Sequence, residues 1–179
     1  MNLAIRFISM EKYNSEFFFN NLTFTLIILA ASFLQISLNF LSFFVISQPY
    51  ILAIVLFLTI RRVDYEVSSV LIILYGLLYD LITGGLIGIH SLFFLFLKLF
   101  TLNLSISDKI QKKYGEWFLF SFSYIMSLLI MKVIFVIINF KFPDIYAISF
   151  NVGTTLLLFP VILFLIDIPK IVFKVFISK

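Results

Sequence analysis

A chain of 179 residues that is 63% hydrophobic and 12% charged, with mean hydropathy +1.17, carries more apolar surface than a water-soluble domain of its size can hide; ordinary soluble domains are about 45–50% apolar and about 25% charged. The net charge of +4 is spread over several segments and leaves no basic cluster suited to nucleic acid, and the lack of cysteine excludes disulfides, thiolate metal sites and a cysteine nucleophile. The apolar runs are continuous, without the ten-residue alternation of a β-barrel, so the expected class is an all-α polytopic membrane protein.

Residues 1–19 mix polar and apolar side chains, among them Arg6, Glu11, Lys12 and Glu16, and read as a cytoplasmic N-terminal segment. A span needs about 20 apolar residues. Six runs qualify or come close, at roughly 20–39, 49–62, 66–82, 86–104, 115–139 and 147–168, forming a single domain over 20–168. Ala30-Ala31-Ser32 faintly resembles a cleavage site, but the polar stretch ahead of it is long for a signal peptide and more spans follow; an uncleaved first helix is expected. Gln48-Pro49 interrupts the second run, because proline cannot continue a helical ladder and restrains the residue before it. Residues 40–48 are therefore expected at the interface or as a re-entrant stretch. Residues 169–179 form a basic tail.

Six spans put both termini on one side. With that side cytoplasmic, ten of the thirteen basic residues (Arg6, Lys12, Arg61, Arg62, Lys109, Lys112, Lys113, Lys170, Lys174 and Lys179) fall inside, Lys141 alone falls outside, and Lys98 and Lys132 lie within spans. This satisfies the positive-inside rule. The outer loops, about 40–48, 83–85 and 140–146, are short.

The stretch GLLYDLITGGLIGIH, residues 76–90, places a carboxylate, a glycine pair and the only histidine in a greasy run. Thr83-Gly84-Gly85 is expected to be the whole connection between the third and fourth spans, forcing an antiparallel hairpin. Glycine supplies the left-handed conformation that ends a helix. Gly76, Gly85, Gly88 and Ser91 are small enough to bring two backbones close. Asp80 has three readings: a cap on the free amides at the start of the fourth helix, part of a surface that engages another membrane protein, or a proton or ion relay. His90, with no second histidine and no cysteine, is a poor metal ligand and is expected to be packed and hydrogen-bonded. Lys98 can snorkel toward the inner face. Lys132 lies most nearly level with Asp80, which suggests an Asp80–Lys132 intramembrane pair; snorkelling to the outer face is the alternative.

No nucleophile–base–orienting group set is evident, nor paired carboxylates at helical spacing, a P-loop or GxGxxG, so neither an enzyme nor a cofactor or metal protein is expected. No convincing internal repeat of the transporter kind appears. In length and helix count the chain is similar to the substrate-binding membrane subunits of energy-coupling vitamin transporters, although their AxxxA motif is absent in clean form, Ala30-Ala31 being the nearest match.

Arg61-Arg62-Val63 followed by Gly76-Leu-Leu-Tyr-Asp80-Leu-Ile-Thr83-Gly84-Gly85-Leu-Ile-Gly88-Ile-His90 resembles the MreD family of bacterial rod-shape-determining membrane proteins. That family carries a basic turn after its second helix, a third helix ending G-x-x-x-D-L-x-(S/T)-G, and a small or polar residue opening the fourth. Weaker likenesses are Phe33-Leu34-Gln35-Ile36, Pro49, Glu116-Trp117, Asn151 and Phe159-Pro160. The second helix here is plainer than the family's, and Asp167 and Pro169 interrupt the start of the tail. The resemblance implies a non-enzymatic adaptor of the bacterial inner membrane. Its implied partners are MreC directly, and MreB, RodA and a class B penicillin-binding transpeptidase, in the machinery of lateral peptidoglycan synthesis and rod shape. It points to Asp80, Thr83, Gly84, Gly85, Gly88 and His90 as the partner-facing surface.

Overall fold

A backbone removed from water must satisfy its own polar groups, and an α-helix does so within one segment. The computed structural model describes residues 21–38, 48–62, 67–105, 108–140 and 142–177, and of these the side chains outside 105–114 and 166–177. Among the described residues there are six helices and no strand: α1 (Asn21–Leu38), α2 (Ile51–Arg62), α3 (Ser69–Thr83), α4 (Ile89–Ser105), α5 (Asp108–Asn139) and α6 (Ile145–Ile177). Three segments, Asn21–Leu38, Gly115–Asn139 and Ile145–Leu165, are long and apolar enough to cross a membrane, and α3 and α4 supply shorter apolar helices.

Helix bounds follow the apolar runs closely in α1 and in Gly115–Asn139. Gly115, at φ 72° and ψ 172°, interrupts α5, so 108–114 is a separate helical piece ahead of the apolar one. The last helix runs past the expected limit of 168 to Ile177, with Pro160 and Pro169 inside it. Proline is tolerated in apolar helices where local adjustment re-satisfies the freed carbonyl. The readings placed on 1–19 and on 40–47 lie outside the described residues.

Helix α2 has 12 residues, about 18 Å at 1.5 Å per residue, against a hydrocarbon thickness of about 30 Å. It need not match the bilayer because it sits inside the bundle, packed against α4, α5 and α6. Ala53, Ile54 and Phe57 are fully buried and Leu52 nearly so. A helix apolar on nearly every face is a core element. Phe57 meets Phe120 of α5 edge-on at 5.2 Å and Phe159 of α6 at 5.8 Å, while Phe120 and Phe159 stack at 4.5 Å. Phe24, Ile28 and Ala31 bring α1 into the same core. Leu26, Phe33, Val133, Ile137, Leu157 and Phe164 face outward, as a lipid-solvated surface requires.

Polar contacts mark the two ends. At one, Arg62 at the end of α2 pairs with Glu116 at 3.5 Å. Lys98, buried, donates to the Val67 carbonyl at 2.6 Å and to Ser69 Oγ at 2.8 Å, so its reach along the helix ends on the start of α3. The other end carries the α3–α4 turn.

Candidate functional site

Helix α3 stops because Gly84 turns left-handed at φ 68°, and the Asp80 carbonyl accepts from the Gly84 amide and from the Gly85 amide at 3.2 Å. The Asp80 side chain is wholly buried. Its Oδ2 accepts from the Gly88 amide at 2.7 Å, its Oδ1 from the His90 amide at 3.3 Å, and Oδ1 also meets His90 Nδ1. The carboxylate therefore sits on the free amides at the positive end of α4, where a helix favours an anion. Gly88, at φ 94°, holds a conformation open to glycine and strained for other residues; this aims its amide at Asp80 while its carbonyl accepts the first α4 bond, from Leu92 at 3.0 Å. The connection is thus Gly84–Gly88 rather than 83–85, and α4 starts at Ile89 rather than near 86. The amides of 88 and 90 are spent on the carboxylate, which delays the helix.

The expected close approach occurs at one point of the hairpin only. A Cβ on Gly76 would collide with the Ser91 backbone, and Ser91 Oγ donates across the seam to the Ile73 carbonyl at 2.9 Å. Gly85 and Gly88 do not share that role: a Cβ on Gly85 would reach only Thr83 Oγ1, at 3.8 Å, and one on Gly88 would meet nothing within 4 Å. Gly88 is required by backbone conformation, not by packing.

His90 is held as a packed, hydrogen-bonded ring, 4.8 Å from Tyr79, 6.1 Å from Tyr50 and 6.3 Å from Phe94 between centroids. Among the described residues no three potential metal ligands come together. The expected Asp80–Lys132 pair does not form. Asp80 pairs with His90 instead, and Lys132 lies over the Phe135 ring, 5.9 Å from its centroid and one turn toward the α5 terminus. Matching depths along helices placed Lys132 beside Asp80; the turn's own donors, ten residues away in sequence, reach the carboxylate first. Both oxygens are engaged, so the carboxylate ties the end of α3 to the start of α4.

A second polar network went largely unread in the sequence. The chain enters α2 through residues 48–50, which belong to no helix; the Tyr50 carbonyl accepts from the Ala53 amide at 3.2 Å, and the other backbone groups look elsewhere. Side chains from two other helices meet them: Gln35 of α1 donates to the Pro49 carbonyl at 3.1 Å and accepts from the Leu52 amide at 3.4 Å, Thr155 of α6 accepts from the Tyr50 amide at 2.9 Å, and Asn151 of α6 donates to the Gln48 carbonyl. Tyr124 of α5 in turn donates to Asn151 Oδ1. Gln35, Pro49 and Asn151 each stood out singly in the sequence; Tyr124 and Thr155 did not, and the signal that finds them is a hydroxyl inside an apolar helix, which needs a partner.

Beside this network a cavity of about 280 Å³ lies between α4, α5 and α6, with His90, Tyr124, Lys132, Asp144 and Asn151 among its polar walls. On the other side of the hairpin, the turn exposes Leu81, Ile82, Leu86 and Ile87, and Thr83, Gly84 and Gly85 are exposed between them. The site residues expected from sequence therefore divide: Asp80 and His90 lie within the hairpin, while Thr83, Gly84 and Gly85 form its outer tip. No family model, curated protein or solved structure matches this chain.

Proposed function

We propose that this chain is a non-enzymatic, multi-pass adaptor of the bacterial inner membrane, of the MreD kind, which joins the cell-shape machinery through the tip of its α3–α4 hairpin. In this reading six helices cross the membrane with both termini in the cytoplasm, the hairpin turn faces outward, and the tip engages MreC, through which the chain is linked to MreB, RodA and a class B penicillin-binding transpeptidase. One observation carries the reading: a hairpin locked from inside by a buried carboxylate presents four exposed aliphatic side chains, Leu81, Ile82, Leu86 and Ile87, on a turn that cannot yield. Rigid, pre-ordered apolar surface loses little entropy on binding. The basic residues of the N-terminal segment, the 61–62 turn, the 109–113 stretch and the tail support the orientation. Replacing Ile82 and Ile87 together by Asn should abolish co-purification of MreC while leaving membrane insertion and thermal stability intact. Full recovery of MreC by that variant overturns the assignment of the tip. A label at Gly84 reachable only from the cytoplasm overturns the orientation.

The cavity favours a second reading, the substrate-binding subunit of an energy-coupling vitamin transporter. At about 280 Å³ it lies at the small end of ligand pockets, which run from about 300 to 1,000 Å³. Tight binding of a vitamin by the purified chain would establish that reading in place of the adaptor.

A further inference from the structure

The cavity wall holds one cation and one anion that do not neutralise each other. Lys132 is half-buried on α5 and makes no ion pair with Asp144, which stands exposed just ahead of α6. Asp144 Oδ1 accepts from the Tyr146 amide at 2.9 Å and so caps α6, which fixes the carboxylate in place. A lysine set into an apolar bundle needs an anion or a route to water. Here its ammonium lies over the Phe135 ring, 5.9 Å from the centroid, with no carboxylate beside it among the described residues. Tyr50 adds to the wall a hydroxyl that is buried without a hydrogen bond. Much of the remaining lining is apolar, with Phe93, Leu128, Met131 and Ile148.

We propose that this cavity binds the zwitterionic headgroup of an aminophospholipid, its phosphate on Lys132 and its ammonium on Asp144, with the acyl chains lying outside. The charges are complementary in kind and number to such a headgroup. The volume accommodates a headgroup rather than a whole amphiphile, which leaves the tails in the surrounding bilayer. The inference is independent of the adaptor reading, since it concerns a different face from the hairpin tip.

The test is lipid retention by the full-length purified chain. Delipidated protein is mixed with phosphatidylethanolamine, phosphatidylglycerol or phosphatidylcholine, and the bound lipid is counted by native mass spectrometry. One phosphatidylethanolamine should be retained about tenfold better than either other lipid, the scale of one charge-assisted contact. Asp144→Asn should erase that preference, and Lys132→Gln should lower retention of all three lipids, since each carries the phosphate. Ala147→Phe, which fills the cavity and keeps both charges, should erase retention itself. Thermal unfolding of each variant without lipid checks that the bundle is intact. Equal retention of the three lipids, or a preference untouched by the variants, overturns the proposal. Retention of phosphatidylglycerol above that of phosphatidylethanolamine, dependent on Lys132 but not on Asp144, makes it an anion site and overturns the zwitterion. Free phosphoethanolamine binding as tightly as the lipid overturns the lipid as its source.

Discussion

The α3–α4 turn and the mouth between α5 and α6 lie at the same end of the bundle and treat charge in opposite ways. At the turn, Asp80 is wholly buried and both of its oxygens are used by Gly88 and His90. At the mouth, Lys132 and Asp144 share a cavity without joining. A charge inside an apolar bundle is thus retained for one of two purposes, to hold the chain's own backbone or to hold something else, and its partners tell which. The first purpose makes a region rigid and intolerant of change, while the second leaves it tolerant in the empty protein.

The largest effect should come from the hairpin seam. Gly76→Leu puts a side chain into the Ser91 backbone, which no rotamer can relieve, so folded monomer should be lost altogether on size-exclusion chromatography in mild detergent. A monodisperse, heat-stable Gly76→Leu protein would show that the helices separate freely. Next comes Asp80→Ala. It leaves two amides and an imidazole buried without their acceptor and should cost about 3–5 kcal/mol, read as a large fall in unfolding temperature. Asp80→Asn, which keeps one acceptor oxygen, should recover part of that loss; recovery of none would mean that the charge alone matters.

Asn151→Leu stands between the two regions, since Asn151 both grips residue 48 and lines the cavity. It should cost about 1–3 kcal/mol by orphaning the Gln48 carbonyl and the Tyr124 hydroxyl. An unchanged stability would place the grip elsewhere. Smallest of all is Lys132→Met, expected to alter stability by less than about 1 kcal/mol in lipid-free detergent, because no carboxylate is stranded. A loss comparable to that of Asp80→Ala would remove the contrast between the two regions.

Much of this arrangement was legible in the sequence, for reasons that also show where legibility stops. Long apolar runs gave the helices, and Gln48-Pro49 gave the break before α2, since proline acts locally. Asp80 as a cap could be read because its donors lie a few residues on, in a turn that glycines announce. The supposed Lys132 partner failed because depth along a helix says nothing of which faces meet. The Phe57–Phe120–Phe159 cluster was invisible for a similar reason: with 25 phenylalanines and every face apolar, periodicity singles out none of them. The grip on residues 48–52 combines Gln35, Asn151 and Thr155 from helices far apart in the chain, and no local pattern joins them.

That grip constrains the order in which the molecule is made. Asn151 and Thr155 follow the groups they satisfy by 103 and 105 residues, so a ribosome must add all of that length before the carbonyl of Gln48 finds its donor and the amide of Tyr50 its acceptor. Until then α2 is a short rod with an unmet leading edge, poorly suited to leave the insertion channel alone. Helix α6 is therefore the clasp, and nascent chains stopped short of it should remain prey to membrane quality-control proteases.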